Sequence, residues 1–279
     1  MAAPADSNAQ AIKISATLQR RLRKEIITDA LVNRDFEGQV DGPEDSVRIL
    51  VANSATVTPY TGGFITPQTN IDADAPELSM DLQNAFSFSL SANTNLIDYV
   101  QGFSNETFQE LLEQAQAYVL SKADPTLTGN MTAGDLTFTA GTTNIVDLFD
   151  DANTNLNEQG VPSPGRFIVL PASVAGEAYS VVAERDTARG DVADRTGLIG
   201  MFRGFEIYQA PTNLFPTNAS SNPVAHYGNR GYHTYADAVV QVQVLSEVPN
   251  LPAGVLVQGL HVAGSKVTQP DGMGRIEIA

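Results

Sequence analysis

At 279 residues, with 42% hydrophobic and 17% charged side chains, the chain is long enough for one elaborate globular domain or two ordinary ones with a substantial core. Its formal net charge of -16 argues against a general basic surface that wraps nucleic acid, and the absence of cysteine excludes thiolate catalysis, disulfides and cysteine-held metal centres. No apolar run reaches the length of a membrane span, and so low a charged fraction points to a surface largely covered by partners.

Residues 1–10 are small and polar and read as an extended end. From Ala11 to Leu31, Ile12, Leu18, Leu22, Ile26, Ile27, Ala30 and Leu31 suggest a helix or two short ones. Lys13, Arg20, Arg21, Arg23 and Lys24 crowd the same stretch, giving an acidic chain a basic leader. It is either a solvated helix face or an arm that meets an acidic neighbour or nucleic acid. Ser46–Val51 reads as a strand and Gly62-Gly63 as a loop. With the strand that begins near Leu78 they form a two-stranded ribbon whose middle, Ala52 to Ala75, is poor in hydrophobic residues. Such a ribbon is marginal alone in water and must lie on its own domain or on a neighbouring copy.

The stretch from Glu77 to Lys122 organises the rest. Leu78, Met80, Leu82, Phe86, Phe88 and Leu90 alternate with small or polar residues, the period of a strand with one buried face. Phe108, Leu111, Leu112, Ala115, Tyr118 and Val119 then recur at helical spacing, opposite Glu106, Gln109, Glu110, Glu113, Gln114 and Gln116. Ser104 is the expected N-cap and Asp124-Pro125 the stop, predicting a helix over about 104–122.

Leu127 to Ala140 reads as a hairpin, with Leu136 and Phe138 facing one way. Ile145, Val146, Leu148, Phe149, Ala152 and Leu156 mark a second helix, capped by Asn144 and ended by Gly160 and Pro162. Phe167–Leu170 is a short buried strand, and Pro171 opens a helix through Val174, Ala178, Val181 and Val182. Arg185 to Thr196 is a charged loop, Gly204–Tyr208 a strand, and the chain up to Pro223 another loop. Val240, Val242 and Val244, then Gly254–Ala263 and Arg275–Ala279, supply further strands. The pattern is mixed α+β, with strands drawn from distant parts of the chain.

Catalytic motifs are missing. There is no phosphate loop, dinucleotide fingerprint, nucleophile elbow or H-E-x-x-H pair, and Gly264-Ser265-Lys266 sits in an apparent strand. Asp151, Asn153 and Asn155 imitate the start of a calcium loop, but Leu156 and Pro162 stand where its glycine and glutamate belong, so they read as structural. Asp72, Asp74 and Glu77 make an acidic turn, solvated or able to hold a cation between two copies. His226, His233 and His261 lack partner motifs and read as hydrogen-bonded structural imidazoles.

Four stretches in order carry a resemblance: Leu31-Val-Asn-Arg-Asp-Phe-Glu-Gly38 with Asp45-Ser-Val-Arg-Ile49; Val161-Pro-Ser-Pro-Gly-Arg-Phe-Ile-Val-Leu-Pro171; Gly197-Leu-Ile-Gly-Met-Phe-Arg-Gly-Phe-Glu-Ile-Tyr208; and Val257-Gln-Gly-Leu-His-Val-Ala-Gly-Ser-Lys-Val267. Over almost its whole length the chain resembles the major capsid proteins of tailed bacteriophages, the Johnson or HK-ninety-seven-type fold.

The resemblance implies an N-terminal arm (1–40), an extended β-hairpin loop (41–77), a peripheral domain (78–142 and 254–279) with the spine helix at about 104–122, and an inserted axial domain (143–253). It implies a non-enzymatic coat protein, without cofactor or metal, that assembles in host cytoplasm through hexamers and pentamers into the icosahedral head shell of a virion. The expected partners are other copies, a portal protein, a separate scaffolding protein, a cementing protein and packaged double-stranded DNA. The scaffold is expected to be separate because no long extension precedes the arm. Cross-linking chemistry is not carried over, since Lys122 and Lys266 do not lie where an extended-loop lysine would. Expected assembly residues are Lys13, Arg20, Arg21, Arg23, Lys24, Tyr60, Asp72, Asp74 and Glu77. A bacterial nanocompartment shell shares this fold and is the nearest alternative; a tail or fibre protein and a hydrolase are more distant ones.

Overall fold

The computed structural model describes residues 26–39, 42–43, 45–51, 59, 62, 75–91, 97–185, 198–245 and 254–279. After a short helix α1 (Thr28–Leu31), strands β1 (Ser46–Arg48) and β2 (Glu77–Ser79) pair antiparallel with Val47 opposite Leu78. They form the base of the expected ribbon. Its middle lies almost wholly outside the described residues, as do the basic side chains of residues 13–24 and the expected charged loop except Arg185, which ends a helix.

The predicted long strand is real but broken. β3 (Leu82–Ser91) starts after a tight turn in which the Asp81 N–H donates to the Ser79 carbonyl at 3.1 Å. The turn lets one period-two run serve two sites. Leu78 and Met80 are buried with Ile49, Ala236 and Val262 under the ribbon, whereas Leu82 packs against the main core. The spine helix α2 (Ile97–Ser121) has 25 residues, about 37 Å, and begins seven residues before the expected cap. Ser104 is therefore inside it. Gly102 hides the continuation, although Ile97, Val100 and Phe103 extend the helical spacing upstream. Leu111, Ala115 and Val119 are buried as the pattern requires, Leu112 and Tyr118 are half-buried, and Leu120 is buried as well. Two positions differ: Phe108 is exposed in a groove beside the helix, and Gln116, expected on the polar side, is fully buried.

Three further elements place the sheets. β4 (Asp135–Phe138) is not half of a hairpin; it runs parallel to the final strand, β11 (Met273–Ile278), with Leu136 opposite Ile276. Alternation identifies a half-buried strand but says nothing of a partner that arrives so much later in the chain. β8 (Val224–Asn229) was not anticipated, because histidine, glycine and asparagine interrupt its apolar character, yet every residue is buried. It lies between β11 and β5 (Arg166–Pro171) in a six-stranded sheet ordered β4-β11-β8-β5-β7-β6, where β6 is Leu198–Phe202 and β7 is Phe205–Ala210. The β6–β7 turn has positive φ at Arg203 and Gly204, the twist that suits a two-residue hairpin.

Helices α3 (Ile145–Glu158) and α4 (Ala172–Arg185) pack on this sheet. The Asn144 side chain caps α3 by accepting from the Val146 N–H at 3.0 Å. At its other end Gly160, at φ 71°, permits the paired closing bonds Gly160 N–H to Asn157 and Val161 N–H to Leu156.

The second sheet, ordered β3-β10-β9, is built from β9 (His233–Leu245) and β10 (Gly254–Val267) with β3. A register shift at Val240 keeps Val239 and Val242 on one face, toward α2. One main cluster runs from α2 through β10 to the interior of the six-stranded sheet, joining Leu31, Val119, Phe138, Phe149, Phe167, Tyr227 and Val267. The fold is mixed α+β, as the sequence led one to expect.

Candidate assembly interface

Of the nine expected assembly residues, Lys13, Arg20, Arg21, Arg23, Lys24, Tyr60, Asp72 and Asp74 lie outside the described residues. Glu77 opens β2, exposed, opposite Arg48. The described residues show how the N-terminal segment from Ile26 and the β1–β2 pair are held to the rest of the fold.

The root of the N-terminal segment is fastened to α2 and β9. The Ile27 N–H donates to Gln116 Oε1 at 3.1 Å, which explains a buried glutamine on the spine helix. Asn33 then bridges to β9: its N–H donates to the His233 carbonyl at 2.7 Å, and its carbonyl accepts from the Tyr235 N–H at 3.0 Å. Arg34 closes the attachment. Its guanidinium reaches Asp29 at 2.6 Å, Glu37 at 2.6 Å and Asp237 at 2.5 Å, and stands 5.5 Å from the centre of the Tyr235 ring. Burial works to lower the Arg34 pKa, but the bonds to Glu37 and Asp29 prevail and raise it. Burial likewise works to raise that of Asp237, and its bonds to His261 (3.2 Å) and Arg34 hold it low. Sequence reading missed this hub. Asp29, Arg34 and Glu37 are close enough in sequence to suggest a local cluster; Asp237 is not.

The base of the ribbon is seated on β10. A side chain at Gly264 would put its Cβ 2.5 Å from the Ser79 carbonyl oxygen, so the close crossing of β2 over β10 depends on that glycine.

The three histidines are all buried. His233 Nε2 bonds Ser265 Oγ at 2.7 Å and His261 bonds Asp237, as structural imidazoles should. His226 departs from expectation: neither ring nitrogen has a hydrogen-bond partner among the described residues, and its ring packs edge-on against Phe167 and His233. Desolvation pushes the pKa of both His226 and His233 down to about 3. Both rings are sealed from solvent. Asn153, from the calcium-like triplet, instead accepts from Arg166 at 2.5 Å, and Asn155 donates to Tyr227 at 2.9 Å. No cluster of three or more metal-ligating side chains occurs among the described residues.

No family model matches the sequence, and no curated protein matches it. Solved structures do. Mycobacterium phage Che8 gives a TM-score of 0.70 at 21% identity over 97% of both chains. The capsid structure of Cyanophage P-SCSP1u gives 0.67 at 14% identity, over 95% of this chain and 92% of that one. The capsid of Ralstonia phage GP4 gives 0.64 at 16% identity, over 100% and 96%. The chain has the fold of phage capsid proteins. The likeness covers 97% of both chains for the first of these and 100% and 96% for the last.

Proposed function

We propose that this chain is the major capsid protein of a tailed phage, a non-enzymatic subunit that builds the icosahedral head shell through hexamers and pentamers and encloses double-stranded DNA. The observation that carries this reading is the likeness to phage capsid structures over nearly the whole of both chains, 100% of this one and 96% of the other in the case of Ralstonia phage GP4. The rooted arm and ribbon support it: both start from firmly bonded stems, and a ribbon that cannot stand alone gains stability from a neighbouring copy.

On this reading residues 1–40 are the arm, 41–77 the extended loop, 78–142 with 254–279 the peripheral domain, and 143–253 the axial domain. Lys13, Arg20, Arg21, Arg23 and Lys24 make assembly contacts to acidic surfaces, and Tyr60, Asp72, Asp74 and Glu77 do so from the ribbon. A separate scaffolding protein, a portal and a cementing protein complete the particle, which forms in the host cytoplasm.

Negative-stain microscopy of the purified protein, alone and with a scaffolding candidate, tests the proposal: uniform closed shells are expected. Double-stranded DNA in native particles supports the phage reading, whereas a co-purifying enzyme inside them supports a nanocompartment. Absence of any ordered particle under all these conditions counts against both.

A further inference from the structure

Asp29, Arg34, Glu37 and Asp237 line a cavity of about 380 Å³ between α1, α2 and β9, within the roughly 300–1,000 Å³ of pockets that take small ligands. Three carboxylates there face one guanidinium, so negative charge is in excess. Burial and then Asp237 raise the Glu37 pKa, although its bond to Arg34 works the other way. Two hydroxyls line the cavity unused. Thr28 and Tyr235 are more than nine-tenths buried, and neither side-chain oxygen has a hydrogen-bond partner among the described residues. Buried groups of this kind call for a partner. Much of the remaining wall is apolar. Leu112, Ala115 and Ala238 belong to it, and Phe108 and Val239 are shared with a second cleft, of about 160 Å³, walled by Phe88, Leu111, Val242 and Val257.

A metal ion does not suit this arrangement, since no cluster of three or more metal-ligating side chains occurs among the described residues. An organic cation with hydrocarbon behind it fits both ends. An ammonium group carries three N–H donors for carboxylate and hydroxyl oxygens, and its methylenes can lie along apolar surface. Phe108, Val239 and Val242 are 48%, 43% and 57% exposed, surface that such a tail would take out of water. We propose that the cavity binds a primary alkylammonium, with its nitrogen among Thr28, Asp29, Glu37 and Tyr235 and its chain running past Phe108 and Val239 toward Val242. A second charge at the far end would be stranded among apolar side chains, so monoamines are preferred to diamines. The site belongs to the single chain and does not depend on the shell reading.

Calorimetric titration of the full chain with hexylammonium chloride at fixed ionic strength tests the site. Saturable binding is expected, with hexanol and hexamethylenediamine each weaker by about tenfold. Asp29→Asn, at an exposed carboxylate, should weaken hexylammonium about tenfold, and Tyr235→Phe about threefold. Val242→Ser should weaken hexylammonium about threefold and leave methylammonium unchanged, which separates the tail from the head. Urea midpoints of the same variants distinguish lost binding from lost fold. Hexanol binding as tightly as hexylammonium, no saturation at millimolar amine, or an affinity indifferent to both Asp29→Asn and Val242→Ser would overturn the assignment. So would hexylammonium binding that appears only when Lys13, Arg20, Arg21, Arg23 and Lys24 are replaced by glutamine, since the chain's own cations would then hold the site. None of these outcomes bears on whether the protein forms shells.

Discussion

Arg34 and Asp237 stand 203 positions apart in the chain and 2.5 Å apart in space. The bond ties the root of the N-terminal segment to the middle of β9, beside the paired backbone bonds of Asn33. Asp237 is 11% exposed, so loss of its partner would leave a carboxylate largely out of water with only His261 to compensate. Arg34→Met should cost about 1–3 kcal/mol, measured as a shift in urea midpoint, and open the chain to proteolysis near residue 34. An unchanged midpoint would show the cluster to be ordinary surface charge.

Acid should weaken the fold through His226 and His233. Both are harder to protonate folded, with pKa values of about 3, than unfolded at about 6.5. Between those values the unfolded chain binds more protons. The stability owed to the neutral rings is thus complete above pH 6.5 and is lost as pH falls toward 3, at up to about 1.4 kcal/mol per pH unit for each ring. His226→Leu removes one such proton and two unpartnered buried nitrogens. Urea titrations from pH 7 to pH 4 should show a shallower decline for the variant; parallel curves would refute the assignment.

Arg166 holds the C-terminal half of α3 to the start of β5. It donates to the Pro162 carbonyl at 3.1 Å, to Asn153 at 2.5 Å and to Asn157 at 2.9 Å, and also to the Val161 carbonyl. Lysine cannot reproduce that fork. Arg166→Lys should cost about 1–3 kcal/mol by leaving the buried Val161 carbonyl and the partly buried acceptors around it unmet, with faster amide exchange in residues 145–158. Wild-type exchange there would mean that the contacts are replaceable by water.

Gly264→Ala should unseat the ribbon. The added methyl would meet the Ser79 carbonyl oxygen at 2.5 Å, and a backbone atom cannot swing aside. A loss of about 1–3 kcal/mol is expected, with amide exchange accelerated at residues 46–48 and 77–79 and little changed in the six-stranded sheet. Uniform protection would show that β2 does not depend on this close crossing.

The sequence revealed local chemistry well and partners poorly. Asn144, Gly160 and Pro162 delimit α3 correctly because capping is decided within one turn. The alternation at Leu136 and Phe138 identified a strand, but its parallel mate is β11, and nothing local distinguishes that from a hairpin. β8 escaped notice because burial on both faces leaves no alternation to read, and its His226 and Gly228 look like loop residues. Gln116 was assigned to the wrong side of α2 because its partner is a backbone N–H at Ile27. Arg34 was missed for the same reason: its decisive contact is with Asp237. The fold that the family resemblance implies is the one found, since the resemblance rests on the order of segments along the whole chain, which no single contact decides.

Sedimentation velocity of the full-length protein, alone and with a scaffolding partner, tests the central claim most directly. The account predicts hexamer- or pentamer-sized species that convert to closed shells of uniform size. A single monomer-sized boundary at every concentration, unchanged by the partner, would contradict it.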